Sequence, residues 1–118
     1  RSTLFPYTTL FRSMTAELIK ATKNWGREKG INNPIMQYAK INEEIGEIAH
    51  ELTRGNLKTP AMADAIGDVL VTLIIFADIL GFDLEQCLRT AYNEIKERQG
   101  ENIDGAFVKS SSNKNKAD

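Results

Sequence analysis

The run from Asp64 to Phe76 is apolar on nearly every side, the pattern of a helix enclosed within a bundle rather than lying on a surface. Thr59-Pro60 supplies a cap followed by proline at the first helical position, and Gly81 supplies the stop. Upstream, Asn33-Pro34 repeats the start signal and predicts a helix to Arg54, closed by Gly55. At about 100° per residue, Tyr38, Ile41, Ile45, Ile48, Ala49 and Leu52 form one broad apolar stripe of that helix. Lys40, Glu43, Glu44, Glu47, Glu51 and Arg54 gather on the opposite side. A first helix is expected from Thr15 as cap to about Lys29, with Gly30 ending it. A fourth begins at Asp83, with Gln86 reaching back and Phe82 and Cys87 placed as a hydrophobic staple. Its expected buried stripe is Leu84, Leu88, Ala91, Tyr92 and Ile95, and Gly100 closes it. Ile103 to Val108 carries an Asp-Gly turn suited to a small hairpin. Fold class follows as all-α: a four-helix bundle of two antiparallel hairpins.

The ends read differently from the middle. Thr3 to Ser13 matches, codon by codon, the conceptual translation of a common short-read sequencing adapter, and Met14 follows as a start codon would. Residues 1–13 are therefore expected to be an artefactual extension rather than a signal peptide, having Pro6 in the middle and no long apolar core. Residues 14–109 are expected to form the helical domain, and the polar residues 110–118 a disordered tail.

Composition narrows the chemistry. Without Arg1 and Arg12 the chain has 13 basic against 16 acidic residues, a mild acidity that gives no general nucleic-acid footprint. The single Cys87 cannot form an internal disulfide, which suits a reducing cytosol. No stretch is long and apolar enough to predict a membrane span. The lone His50 excludes most intrachain Ser-His-Asp or Cys-His designs, so any chemistry must rest on carboxylates.

Those carboxylates are placed unusually. Glu43, Glu47 and Glu51 repeat the i,i+4 spacing, at which like charges destabilise a helix by a few tenths of a kcal/mol. One reading is a solvated face; such faces, however, tend to mix signs, whereas Lys40 and Arg54 flank the acids here. The other reading is an acidic centre between two helices, with one divalent cation shared by Glu43-Glu44-x-x-Glu47 and by Asp64 and Asp68, one turn apart. Buried carboxylates need such a partner, or a lysine or arginine, to remain charged. Gly67, between them, costs about 1 kcal/mol relative to alanine and is expected to mark close approach by a neighbouring backbone. Trp25 reads as core or interface ahead of ligand platform. Asn93 and Lys96 read as surface residues unless the ligand is anionic. Glu47-x-x-His50 has the Glu-x-x-His spacing of di-iron bundles, but one chain carries only one such motif.

Glu43-Glu44-x-x-Glu47, followed by a loop and Ile66-Gly-Asp68-Val-Leu, resembles the MazG-like nucleotide pyrophosphohydrolases, an all-α group that includes dCTPases and dimeric dUTPases. The likeness runs from about Trp25 to Val108, takes in Lys40 and the Asn93 to Arg98 segment, and is strongest to the short MazG-like proteins of phages and Firmicutes. It implies hydrolysis of a nucleoside triphosphate to monophosphate and pyrophosphate with Mg²⁺, or Mn²⁺ in its place. Under it, Glu43, Glu47 and Asp68 are ligands, and Glu44 is a ligand or the base that orients water. Lys40, Asn93 and Lys96 hold phosphates or sugar, and Trp25 stacks on the base. The family's E-x-x-D is incomplete, since its glutamate position is Ala65 and the nearest acid is Asp64. Either Asp64 substitutes from about 100° round the helix, or the site has one ligand fewer. A non-catalytic helical interaction module is the alternative consistent with Ala65. The apolar third helix and the family both imply a homodimer or tetramer.

Overall fold

The structure, a computed structural model, describes the backbone of residues 4–111 and the side chains of residues 14–111. Its elements are helices α1 (Leu4–Glu28), α2 (Pro34–Thr53), α3 (Pro60–Leu80) and α4 (Leu84–Ile95), then strands β1 (Gly100–Ile103) and β2 (Ala106–Lys109). The chain divides into two compact units, residues 1–84 and 85–118.

Local signals set most boundaries. The Asn33 side chain accepts hydrogen bonds from the amides of Ile35 and Met36, and Thr59 Oγ1 accepts one from Met62. These satisfy N–H groups that a helix start leaves without intrahelical partners. Gly81 ends α3 at φ 80°, the left-handed conformation open to glycine without steric cost. Helix α1, in contrast, starts at Leu4 rather than Thr15. Nothing between Ser13 and Glu17 breaks a helix, and Pro6 falls in the first turn, where its missing N–H costs no helical bond. Of the segments expected to be artefact and disordered tail, residues 1–3 and 112–118 lie outside the described residues.

In the first unit α3 is the shared element, packed along α2 on one side and against α1 on another. Met62, Ala65 and Thr72 are buried and Val69, Phe76 and Ile79 half-buried, the alternating three-and-four spacing of a helix seam. The α2 side of that seam is Gln37, Ile41, Glu44, Ile48 and Glu51, all buried or half-buried. This corrects the expected stripe: Tyr38, Ile45 and Leu52 are 59%, 49% and 50% exposed. Hydrophobicity alone assigns those three to the core; packing against α3 turns them outward and brings Glu44 and Glu51 in. The close-approach glycine also differs. A Cβ at Gly67 would meet nothing within 4 Å, whereas one at Gly26 would lie 3.1 Å from Ile75 Cγ1, so the tight crossing is that of α1 on α3.

In the second unit α4 ends at Ile95, short of the expected Gly100, because Gly100 already belongs to β1. Strands β1 and β2 pair antiparallel around Asp104-Gly105. Both turn residues have positive φ, 53° and 83°, as a two-residue turn matching strand twist demands. The α4 stripe expected to be buried is not: Leu88, Tyr92 and Ile95 are exposed, and only Leu84 is half-covered.

Candidate metal centre

Helices α2 and α3 form a hairpin joined by residues 54–59, and a short connection between helices packed along their length makes them antiparallel. One bond marks their alignment. Gln37 Nε2, near the start of α2, donates to the carbonyl of Thr72, in the second half of α3, at 3.1 Å. Advancing about two turns along α2 reaches Glu44; retreating about two turns along α3 reaches Ala65. Glu44 and Ala65 therefore stand level across the seam, with Asp68 one turn from that level.

The candidate acids occupy this hairpin with unequal exposure. Glu44 is half-buried, while Glu43, Glu47, Asp64 and Asp68 are exposed. Exposure of Asp64 and Asp68 corrects the expectation that α3 buries them, since α2 and α1 cover other faces of that helix. On α3 the desolvated carboxylate is instead Asp78, whose side chain is 16% exposed and gripped by Arg27. Lys40 Nζ donates to Glu43 Oε1 at 2.9 Å, one turn along α2. That bond, with the charge of Glu43 and a smaller influence of Glu44, raises the Lys40 pKa above its ordinary value. Trp25 is exposed on α1; Asn93 on α4 and Lys96 just beyond it belong to the second unit.

Among the described residues no three Asp, Glu, His or Cys side chains converge closely enough to form a ready metal cage. His50 is exposed and belongs to no such group. The donor set nevertheless suits a hard divalent cation, being all oxygen and divided between facing helices. Mg²⁺ in particular is held by one or two carboxylates together with waters and substrate phosphates. Glu44, Glu47 and Asp68 are the candidate donors on the two arms, while Glu43 is drawn toward Lys40. Ala65, 5% exposed, offers no donor at the seam.

Sequence reasoning missed Gln37 and Asp78. Gln37 precedes Ile41 and Glu44 at the spacing of a single helix face, a signal readable only once Glu44 is placed on the seam. No single helix among the described residues is long and apolar enough to cross a membrane.

Comparison with known proteins bears on this hairpin directly. The MazG nucleotide pyrophosphohydrolase domain matches residues 33–102. No curated protein sequence matches significantly. Among solved structures, the chain is similar to the Bacillus-conserved MazG protein, a nucleotide pyrophosphohydrolase, with TM-score 0.63 and 26% identity over 71% of this chain and 90% of that one. The matched domain spans both helices that carry the acids, and the chain belongs to the MazG nucleotide pyrophosphohydrolase family.

Proposed function

We propose that this MazG-family pyrophosphohydrolase cleaves a nucleoside triphosphate between its α and β phosphates, releasing monophosphate and pyrophosphate, with Mg²⁺ as its cofactor and Mn²⁺ as a substitute. The observation that carries the reading is the half-buried Glu44, turned into the seam of a helix hairpin whose two arms also hold Glu43, Glu47, Asp64 and Asp68. A bound divalent cation supplies charge neutralisation at the phosphates and a more acidic attacking water. Glu47 and Asp68, from opposite arms, are the proposed ligands, with Glu43 or Asp64 completing the set. Glu44 serves as a ligand or holds the attacking water by accepting its proton. Lys40, freed from Glu43, binds a phosphate. Trp25, exposed near the end of α1, stacks on the base.

Ala65 leaves this centre one carboxylate short of the family pattern, so a single ion held partly by substrate is favoured over a fully caged pair. The proposed setting is cytoplasmic, as a homodimer or larger homo-oligomer, in nucleotide-pool cleansing or phage nucleotide metabolism. The test is a screen of the eight common ribo- and deoxyribonucleoside triphosphates with and without Mg²⁺, resolving products by ion-exchange chromatography. Monophosphate and pyrophosphate appearing only with the cation support the proposal. Release of orthophosphate and diphosphate would reject the cleavage position; no product from any nucleotide would favour a binding module.

A further inference from the structure

We propose that Gln37 is a positioning residue: its side-chain amide sets the axial register of α2 on α3, and so decides whether the carboxylates of the two arms meet one cation. The proposal rests on the metal-centre reading above. Gln37 and Thr72 are each only 6% exposed, buried polar residues within an otherwise apolar stretch of the seam. The Thr72 carbonyl lies inside the regular helix α3, where it already accepts an amide four residues on. The bond from Gln37 Nε2, at 3.1 Å, is therefore an additional one. It does not rescue an orphaned acceptor; its consequence is location.

Location matters here because the seam around it is weakly graded. Ile41, Ile48, Met62, Ala65 and Val69 present smooth, mostly small or branched surfaces, which pack nearly as well after sliding by one turn. A buried polar side chain with a fixed partner across a seam disfavours such slips, because a slip leaves its donor unpaired. One turn is about 5.4 Å, more than twice a metal–oxygen bond of about 2.1 Å. A slip of that size, in either direction, changes the offset between Asp68 and the acids of α2 by more than one such bond, and so changes which of them can meet one ion. The pin sits about two turns from Glu44 and from Ala65, near enough to govern that level without touching a ligand.

The experiment uses Gln37→Met, which keeps the volume and removes the donor, with Mn²⁺ alone as probe and free Mn²⁺ read by electron paramagnetic resonance. The variant is expected to keep its helical circular dichroism and to weaken Mn²⁺ binding about tenfold, as loss of groups that orient ligands does. Turnover should fall at limiting Mn²⁺ and largely return at saturating Mn²⁺, with metal-free helical circular dichroism and melting temperature at wild-type values, which a destabilised fold would not keep. Gln37→Asn, whose amide falls one methylene short of Thr72, is the second variant should the first fold poorly, and should show the same loss. Unchanged Mn²⁺ affinity in folded Gln37→Met or Gln37→Asn overturns the proposal while leaving the metal centre standing. Absence of Mn²⁺ binding by the wild-type protein removes the metal centre, and this inference with it.

Discussion

The Arg27 guanidinium meets the Asp78 carboxylate with two parallel hydrogen bonds, Nε to Oδ2 at 2.9 Å and Nη2 to Oδ1 at 2.7 Å, joining α1 to α3 across 51 residues of sequence. Bidentate pairs of this kind are the geometrically specific form of a salt bridge. The bonds from Arg27 hold the Asp78 pKa below its ordinary value against the opposing effect of burial, with the charges of Arg27 and Lys23 adding to them. A folded-state pKa lower than the unfolded one adds stability above the unfolded value, lost as pH falls through the folded value. Wild type should therefore melt several degrees above Asp78→Asn at about pH 6, and the gap should close as pH drops below about 4. Thermal melts of both proteins across that range check it; a gap independent of pH would mean that the pair is not what Asp78 contributes.

Two helical glycines should respond to substitution with opposite signs. Gly26 is buried, with Ile75 Cγ1, Cδ1 and Cγ2 all within 3.3 Å of where a Cβ would stand, so Gly26→Val forces α1 away from α3. Overpacking of this kind costs about 1–3 kcal/mol. Gly67 faces open space, and Gly67→Ala should gain about 0.5–1 kcal/mol from restricting the unfolded chain. Urea unfolding of both variants measures the difference. A loss at Gly67→Ala would show that another chain closes on that face.

What the sequence made legible were features set within a few residues. The Asn33 and Thr59 caps with their following prolines, the Gly81 stop and the Asp104-Gly105 turn all stand where their residue types require. The acidic residues on α2 and α3 were also readable, being a matter of spacing. The face of α2 that meets α3 was not. Tyr38, Ile45 and Leu52 form the more apolar stripe, yet the seam takes Gln37, Glu44 and Glu51. Periodicity reports that a helix has an oily side; it cannot say which neighbour lies against which side. The same limit hid Asp78, one acid among apolar neighbours whose partner lies far away in sequence.

Glu47→Gln and Asp68→Asn remove a charge from opposite arms of the hairpin without changing side-chain shape. Both residues are exposed, so neither substitution leaves a buried group unpaired. Helix content and melting temperature in chelator should stay close to wild type. Divalent-dependent pyrophosphate release should fall by at least about 100-fold, the upper end for loss of a mere outer-shell partner of a metal. Restoring activity by adding more cation would demote either residue from ligand to electrostatic neighbour.

The outward apolar residues of the hairpin predict self-association. On α2, Tyr38, Ile45 and Leu52 recur every seventh residue and are exposed; on α3, Ile66, Leu70 and Leu73 are exposed at the spacing of four and three. Each row has the period that buries a continuous seam when another helix lies along it. Isolated exposed leucines are ordinary, but rows of this length exceed what a monomer commonly leaves in water. Sedimentation equilibrium should accordingly give a mass at least twice the 13.2 kDa of the chain. Leu70→Glu puts a carboxylate in the middle of the α3 row, where association would bury it without a partner, at a cost of several kcal/mol. The variant should sediment as a monomer while retaining its helical spectrum, because Leu70 is exposed within the single chain. Ile45→Glu tests the α2 row separately. If only one variant dissociates, the row it interrupts is the interface, and turnover by the monomer then measures how far the carboxylates of one hairpin suffice.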